Sequence, residues 1–232
     1  MLDSEFIIQV DKAEIYQKQI HILKQISFYI SKGEFVYLVG RTGSGKSSLL
    51  RTLYADLPLR KGSIHIAGHQ IKDISRQEIP MLRRKIGIIF QDFQLFYDRT
   101  VAENLLFVMR ATGWKDSYKM KNRSAEVLMQ VGLSGASVKM PHELSGGEQQ
   151  RLAIARSLIN EPLILIADEP TGNLDPEVST DILQLFLKIN KSGTSVLMAT
   201  HNHHLLKNYP ARTLKCGYGK LTEITDLNDL NL

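Results

Sequence analysis

The sequence predicts an α/β fold with a mostly parallel sheet, a small antiparallel β subdomain beside it and an α-helical subdomain inserted in the chain. Three observations predict it. Apolar runs at 163–167 and 195–199 flank a helical stretch around 181–189, the β-α-β order of parallel strands covered on both faces. A third apolar run, 35–39, leads through a glycine-rich loop into a helix with Leu49, Leu50 and Leu53 on one face. Between about 92 and 159 strand-like runs give way to methionine, leucine and alanine at helical spacing, as in 101–109 and 125–131.

In chain order, the first third alternates β-like runs at 6–10, 26–30, 35–39 and 63–67 with turn signals at Lys32-Gly33-Glu34 and Arg60-Lys61-Gly62. That pattern makes the antiparallel sheet. The whole chain, 1–232, is expected to form one domain, with the helical part at about 92–159 inserted in its core, and 43% hydrophobic residues suffice to fill it. No internal repeat, low-complexity linker or sustained heptad interrupts the pattern.

Composition narrows the setting. No apolar stretch approaches the roughly 18 residues that a membrane span needs. The start, Met1-Leu2-Asp3-Ser4-Glu5, lacks the basic-then-apolar order of a secretory signal. A single cysteine, Cys216, cannot form an internal disulfide. A cytosolic protein is the expectation. The net charge of +5 permits attraction to nucleic acid, anionic lipid or an acidic partner and selects none of them. Basic residues gather at Arg83-Arg84-Lys85 and at Lys115, Lys119, Lys121 and Arg123, whereas the last eleven residues carry Glu223, Asp226 and Asp229 without a lysine or arginine.

The loop Gly40-Arg41-Thr42-Gly43-Ser44-Gly45-Lys46-Ser47, followed by Ser48, fits the phosphate-binding pattern G-x-x-x-x-G-K-S/T at every fixed position. Glycines let the backbone curl so that amide N–H groups face a phosphate, and the next helix offers its positive N-terminal end. Lys46 would reach the β- and γ-phosphates of a nucleoside triphosphate. Ser47 would give a hydroxyl to Mg²⁺, which prefers oxygen ligands. The run at 163–167 ends in Asp168-Glu169-Pro170, two carboxylates at the carboxyl end of a buried strand. Asp168 would hold the Mg²⁺ shell, and Glu169 would orient and deprotonate the attacking water.

Leu144-Ser145-Gly146-Gly147-Glu148-Gln149-Gln150 opens a second helix, and Ser145 with Glu148 has the spacing of a capping box. The pair Gly146-Gly147 adds bare amides at a positive helix end. With two phosphate-binding helix starts in one compact chain, a second copy facing the first is the economical way to use both.

With these segments in place the chain resembles the ATP-binding subunits of ABC (ATP-binding cassette) systems along nearly its whole length, the Leu144–Gln149 segment being the most particular to that family. The resemblance implies a phosphate-loop ATPase core that binds ATP and Mg²⁺. It also implies that Tyr16 stacks on adenine, that Gln91 senses the γ-phosphate and Mg²⁺, and that Ser145 with Gly147 contacts ATP on the opposite subunit. Asp175, in Gly172-Asn173-Leu174-Asp175, corresponds to the loop crossing the dimer interface, and His201 to the γ-phosphate histidine. Asn202 departs from the family pattern, in which an aspartate follows that histidine.

Three stretches, 83–91, Asp98-Arg99-Thr100-Val101 and 167–175, are similar to the cell-division branch of the family. That branch implies a homodimer in the ATP-bound state, peripheral at the cytoplasmic face of the membrane, with an FtsX-type integral membrane subunit as partner and no nucleic acid. Lipoprotein-release and macrolide-export ATPases are the nearest alternative, and a nucleic-acid-associated ATPase clamp a more distant one. Phe96 and Tyr97, beside Asp98-Arg99, are expected to line a partly exposed groove for a short helix of the membrane subunit.

Overall fold

The structure is a computed structural model that describes residues 5–224. The opening Met1–Ser4 and most of the acidic tail, from Thr225 onward, lie outside the described residues.

Alternation of side chains along buried strands generates the layers. Strands β3 (Phe35–Val39), β7 (Ile164–Asp168) and β8 (Ser195–Ala199) are buried almost throughout, as continuous apolar runs require when both faces are covered. Phe35, Tyr37, Val39, Leu165, Ala167, Val196 and Met198 point into one core, and Val36, Leu38, Ile164, Ile166, Leu197 and Ala199 into the other. The sheet order is β10-β9-β3-β8-β7-β6, with β6 at Ile86–Ile89, β9 at Arg212–Gly217 and β10 at Lys220–Ile224. Every pairing is parallel except that of β9 with β10.

The first core is closed by α3 (Val101–Ala111), α4 (Ser117–Gln130), α5 (Gly146–Leu158) and α6 (Pro176–Lys191). The second lies under α1 (Lys46–Leu53) and a four-stranded antiparallel sheet. That sheet runs β2-β1-β4-β5, with β1 at Phe6–Gln17, β2 at Ile20–Ser31, β4 at Lys61–Ile66 and β5 at His69–Gln70. Short helices α2 (Glu78–Arg84) and α7 (His203–Asn208) complete the set. No helix among the described residues is long and apolar enough to cross a membrane.

Two departures from the sequence reading concern strands. Runs expected at 6–10 and 26–30 are parts of two twelve-residue strands that continue through register shifts, with Lys12 and Gln25 at positive φ (45° and 47°). The pair β9 and β10, not expected at all, extends the sheet beside β3.

Phe186 of α6 has no exposed surface and sits within the first core. Truncation to alanine should cost about 3–5 kcal/mol, read as a lower denaturant midpoint at unchanged slope.

Candidate functional site

Parallel strands share one carboxyl edge, so the segments leaving β3, β6, β7 and β8 converge there. From β3 the chain enters the glycine loop, where Gly40 and Gly45 hold φ of 148° and 108°. A methyl group on Gly40 would lie 2.6 Å from Ser44 Oγ, and one on Gly45 2.6 Å from Ile22 Cγ2, so neither position admits a side chain. Lys46, 7% exposed, opens α1 and donates from Nζ to the Gly40 carbonyl at 2.7 Å. Ser44 Oγ is buried without a partner, while Arg41, Thr42, Gly43 and Ser47 are exposed and Ser48 is half-buried.

At the end of β7, Asp168 Oδ1 is also buried and unpartnered. Burial pushes the Asp168 carboxyl above its ordinary range, and a hydrogen bond from Ser47 works against that. An orphaned carboxylate oxygen beside a serine hydroxyl is a hard-oxygen donor set that suits Mg²⁺. Glu169 follows with φ at 50°, a strained backbone for a residue with a Cβ. Its Oε1 is 3.3 Å from Lys46 Nζ, and its Oε2 is 2.8 Å from His201 Nδ1 and accepts from the His201 amide at 3.2 Å. Because a carboxylate only accepts, Nδ1 carries the hydrogen in this arrangement. The Glu169 amide donates to the Ala199 carbonyl at 3.0 Å, which locks the two strand ends together.

Gln91, leaving β6, exchanges bonds with Asn173: Nε2 donates to Asn173 Oδ1 at 3.4 Å, and Asn173 Nδ2 donates to the Gln91 carbonyl at 3.2 Å. That loop ends in Asp175, which caps α6 by accepting from the Val178 amide at 3.1 Å. Ser145 caps α5 in a full capping box, and its amide holds the Glu148 carboxyl below its ordinary range. A Cβ on Gly147 would lie 2.6 Å from Val178 Cγ1, and one on Gly146 3.4 Å from Leu174 Cδ2. Ser145, Gly146, Gly147 and Asp175 are thus gathered on two helix starts packed together. Tyr16 sits near the end of β1, its hydroxyl donating to Glu14 Oε2 at 2.7 Å.

Two residues of this region were not singled out by sequence. Asn104 of α3, fully buried, accepts from the Phe96 amide at 2.9 Å and donates to the carbonyls of Phe96, Arg99 and Thr100. An amide among core-facing Val101 and Leu105 was its sequence signal. Arg156 of α5 donates to the carbonyls of Phe93 and Gln94, two successive residues at φ of 56° and 53°.

A groove of about 620 Å³ opens beside them, lined by Ile79, Pro80, Ile88, Phe90, Phe96 and Phe107 with Arg83, Arg84 and Arg156. Phe96 meets Phe107 edge-on at 4.6 Å, and Arg99 lies 4.4 Å above the Phe107 ring. The expectation that Phe96 and Tyr97 line one groove needs a correction. Phe96 lines it, whereas the Tyr97 hydroxyl is spent on Gln149 Oε1 of α5 at 3.0 Å.

Residues 23–172 match the family model described as ABC transporter. The cell division ATP-binding protein FtsE of Mycobacterium tuberculosis is 46% identical over 199 residues, 86% of each chain. FtsE of Streptococcus pneumoniae serotype 2 is 42% identical over 211 residues, 91% of each, and that of Escherichia coli K12 is 41% identical over 212, 91% of this chain and 94% of the relative. Among solved structures, the dimeric ATP-binding cassette MJ0796 in a post-hydrolysis state bound to ADP and Pi superposes with a TM-score of 0.82 at 31% identity, covering 94% of this chain and 97% of that one. CbiO1 from Clostridium perfringens, part of the transporter complex cbiONQ, gives 0.86 at 31%, covering 94% and 88%. Matched over more than half its length by the family model and over most of it by these relatives, the chain belongs to the ABC transporter family as one of its ATPase subunits.

Proposed function

We propose that this FtsE-like ATPase is a single nucleotide-binding domain that dimerises around two ATP molecules and drives an FtsX-type membrane subunit, so regulating peptidoglycan hydrolysis during division. The observation that carries the catalytic part is the position of Glu169 between Lys46 and His201. Without nucleotide the buried ammonium needs a counter-charge, and Glu169 provides it. A triphosphate on the loop takes over Lys46 through its β- and γ-oxygens, the curled amides and Ser44 Oγ adding hydrogen bonds. Glu169 is then free to accept a proton from the attacking water, with His201 holding its other oxygen and reaching the γ-phosphate. Mg²⁺, held by Ser47, Asp168 and Gln91, would neutralise charge on the phosphates. Tyr16 stacks on the adenine. Ser145, Gly146, Gly147 and the Asp175 loop face the ATP of the second copy, for which the MJ0796 dimer is the supporting relative.

Two findings support the membrane partner. Relatives 41–46% identical to this chain over most of its length are named as division proteins. The groove next to the Gln91 loop has an apolar floor and three guanidinium groups with no carboxylate among its lining residues, which suits a short amphipathic helix. Such a partner places the protein peripherally at the cytoplasmic face of the membrane, and nucleic acid plays no part.

Lys46→Ala should abolish tight ATP binding, and Glu169→Gln should keep it while lowering turnover by at least about 100-fold, as expected for loss of a general base. Equal loss of ATP affinity in both would contradict the assigned roles.

Dimerisation should require ATP and be clearest in Glu169→Gln by sedimentation. Mixing Lys46→Ala with Ser145→Arg chains should recover part of the activity, because one of the two composite sites is then intact; no recovery would count against the site shared between copies.

Replacing Phe96 and Phe107 together by serine should leave ATP binding in place and strip the membrane subunit from detergent co-purification. Unfolding of the double variant would mark the pair as core instead.

A further inference from the structure

Tyr16 does not stand alone at the proposed adenine position. Across the β1–β2 ladder its partner is His21, and the two rings are stacked with centroids 4.4 Å apart and planes 12° from parallel. One carboxylate ties the pair. Glu14 is 8% exposed on β1, and its Oε2 accepts from the Tyr16 hydroxyl at 2.7 Å, lies 3.6 Å from His21 Nε2 and is 3.3 Å from Lys61 Nζ. The His21 distance is too long for a hydrogen bond, and Nε2 is buried without one. Stacking on Tyr16, rather than a directional bond, therefore sets the imidazole's position. The next residues along β2, Ile22 and Leu23, abut the phosphate loop, since a Cβ on Gly45 would meet Ile22 Cγ2 at 2.6 Å and Leu23 Cγ at 3.3 Å. The ring pair thus belongs to the same short stretch of β2 that braces the phosphate loop.

From this geometry we propose that His21 is a positioning residue for the nucleobase: it backs Tyr16, so that a purine meets a two-ring wall whose outer ring is already fixed. The inference rests on the reading of Tyr16 as the base-stacking residue. A free tyrosine loses rotamer freedom when a base settles on it, and this one has little left to lose, because its ring is stacked and its hydroxyl bonded before any ligand arrives. Its other neighbour is of a different kind. The Arg60 guanidinium carbon is 5.1 Å from the ring centroid, but Arg60 is exposed and held by one bond to the Lys18 carbonyl, so a base can displace it. His21 is half-buried and stays.

The test is binding of Mg·ATP and of inorganic tripolyphosphate, which has no base, to the full chain carrying Glu169→Gln, by titration calorimetry. His21→Ala should weaken Mg·ATP about three- to tenfold, the range of one aromatic stack, and leave tripolyphosphate unchanged. His21→Phe, which keeps the stack and discards the imidazole nitrogens, should restore Mg·ATP affinity to within about twofold of the parent. Should His21→Ala have no effect while Tyr16→Ala weakens Mg·ATP, Tyr16 remains the base platform and the role of His21 is overturned. Should Tyr16→Ala itself leave Mg·ATP affinity unchanged, the underlying reading falls and this one with it. Parallel loss of Mg·ATP and tripolyphosphate in His21→Ala would show a general loosening of the hairpin against the phosphate loop and would also overturn the proposal.

Discussion

A lysine ammonium that is 7% exposed cannot stay unpaired, and much of the site is arranged around that constraint. The Gly40 carbonyl accepts a hydrogen bond from that ammonium, which requires the loop to double back on itself through glycines at positive φ. The remaining charge faces Glu169 at 3.3 Å, which requires β7 to end level with β3 although β8 lies between them. Glu169 in turn draws His201 from the end of β8. The backbone registers of β3, β8 and β7 thus bring three strand ends to one buried charge. On the proposed reading, a nucleotide would take the place of Glu169 as the anion that Lys46 holds.

How much of this could be read from the chain depended on whether a residue acts through its own neighbours or through distant backbone. The central strands were legible because burial on both faces leaves an unbroken apolar run. The glycine loop, the paired acids and the capping box were legible because each is a local spacing with one physical meaning. Strand β9 was not, since Arg212 and Lys215 interrupt its apolar residues: Arg212 is drawn in by Glu34 and Glu223, partners remote in sequence. The hairpin between β1 and β2 was missed for another reason. Its turn places Lys18 at φ 56°, where glycine, asparagine or aspartate would have announced it. Asn104, Arg156 and His21 have roles that exist only once the chain has folded.

Asn202 shows how a departure from a family pattern can be absorbed locally. Its Oδ1 accepts from the amides of His204 and Leu205 and so starts α7, the work an aspartate oxygen would do equally well. What changes is the charge. The residue after His201 is neutral where the family pattern has an anion.

The grip of Arg156 on the Phe93 and Gln94 carbonyls has an evolutionary side. Its acceptors are main-chain oxygens, present whatever residues occupy those two positions. Side chains of the segment that follows Gln91 can therefore change without cutting the tether that holds that segment to α5. The side chains proposed to meet a partner, those of Phe96 and Phe107, are thus separate from the main-chain oxygens that hold the segment to α5.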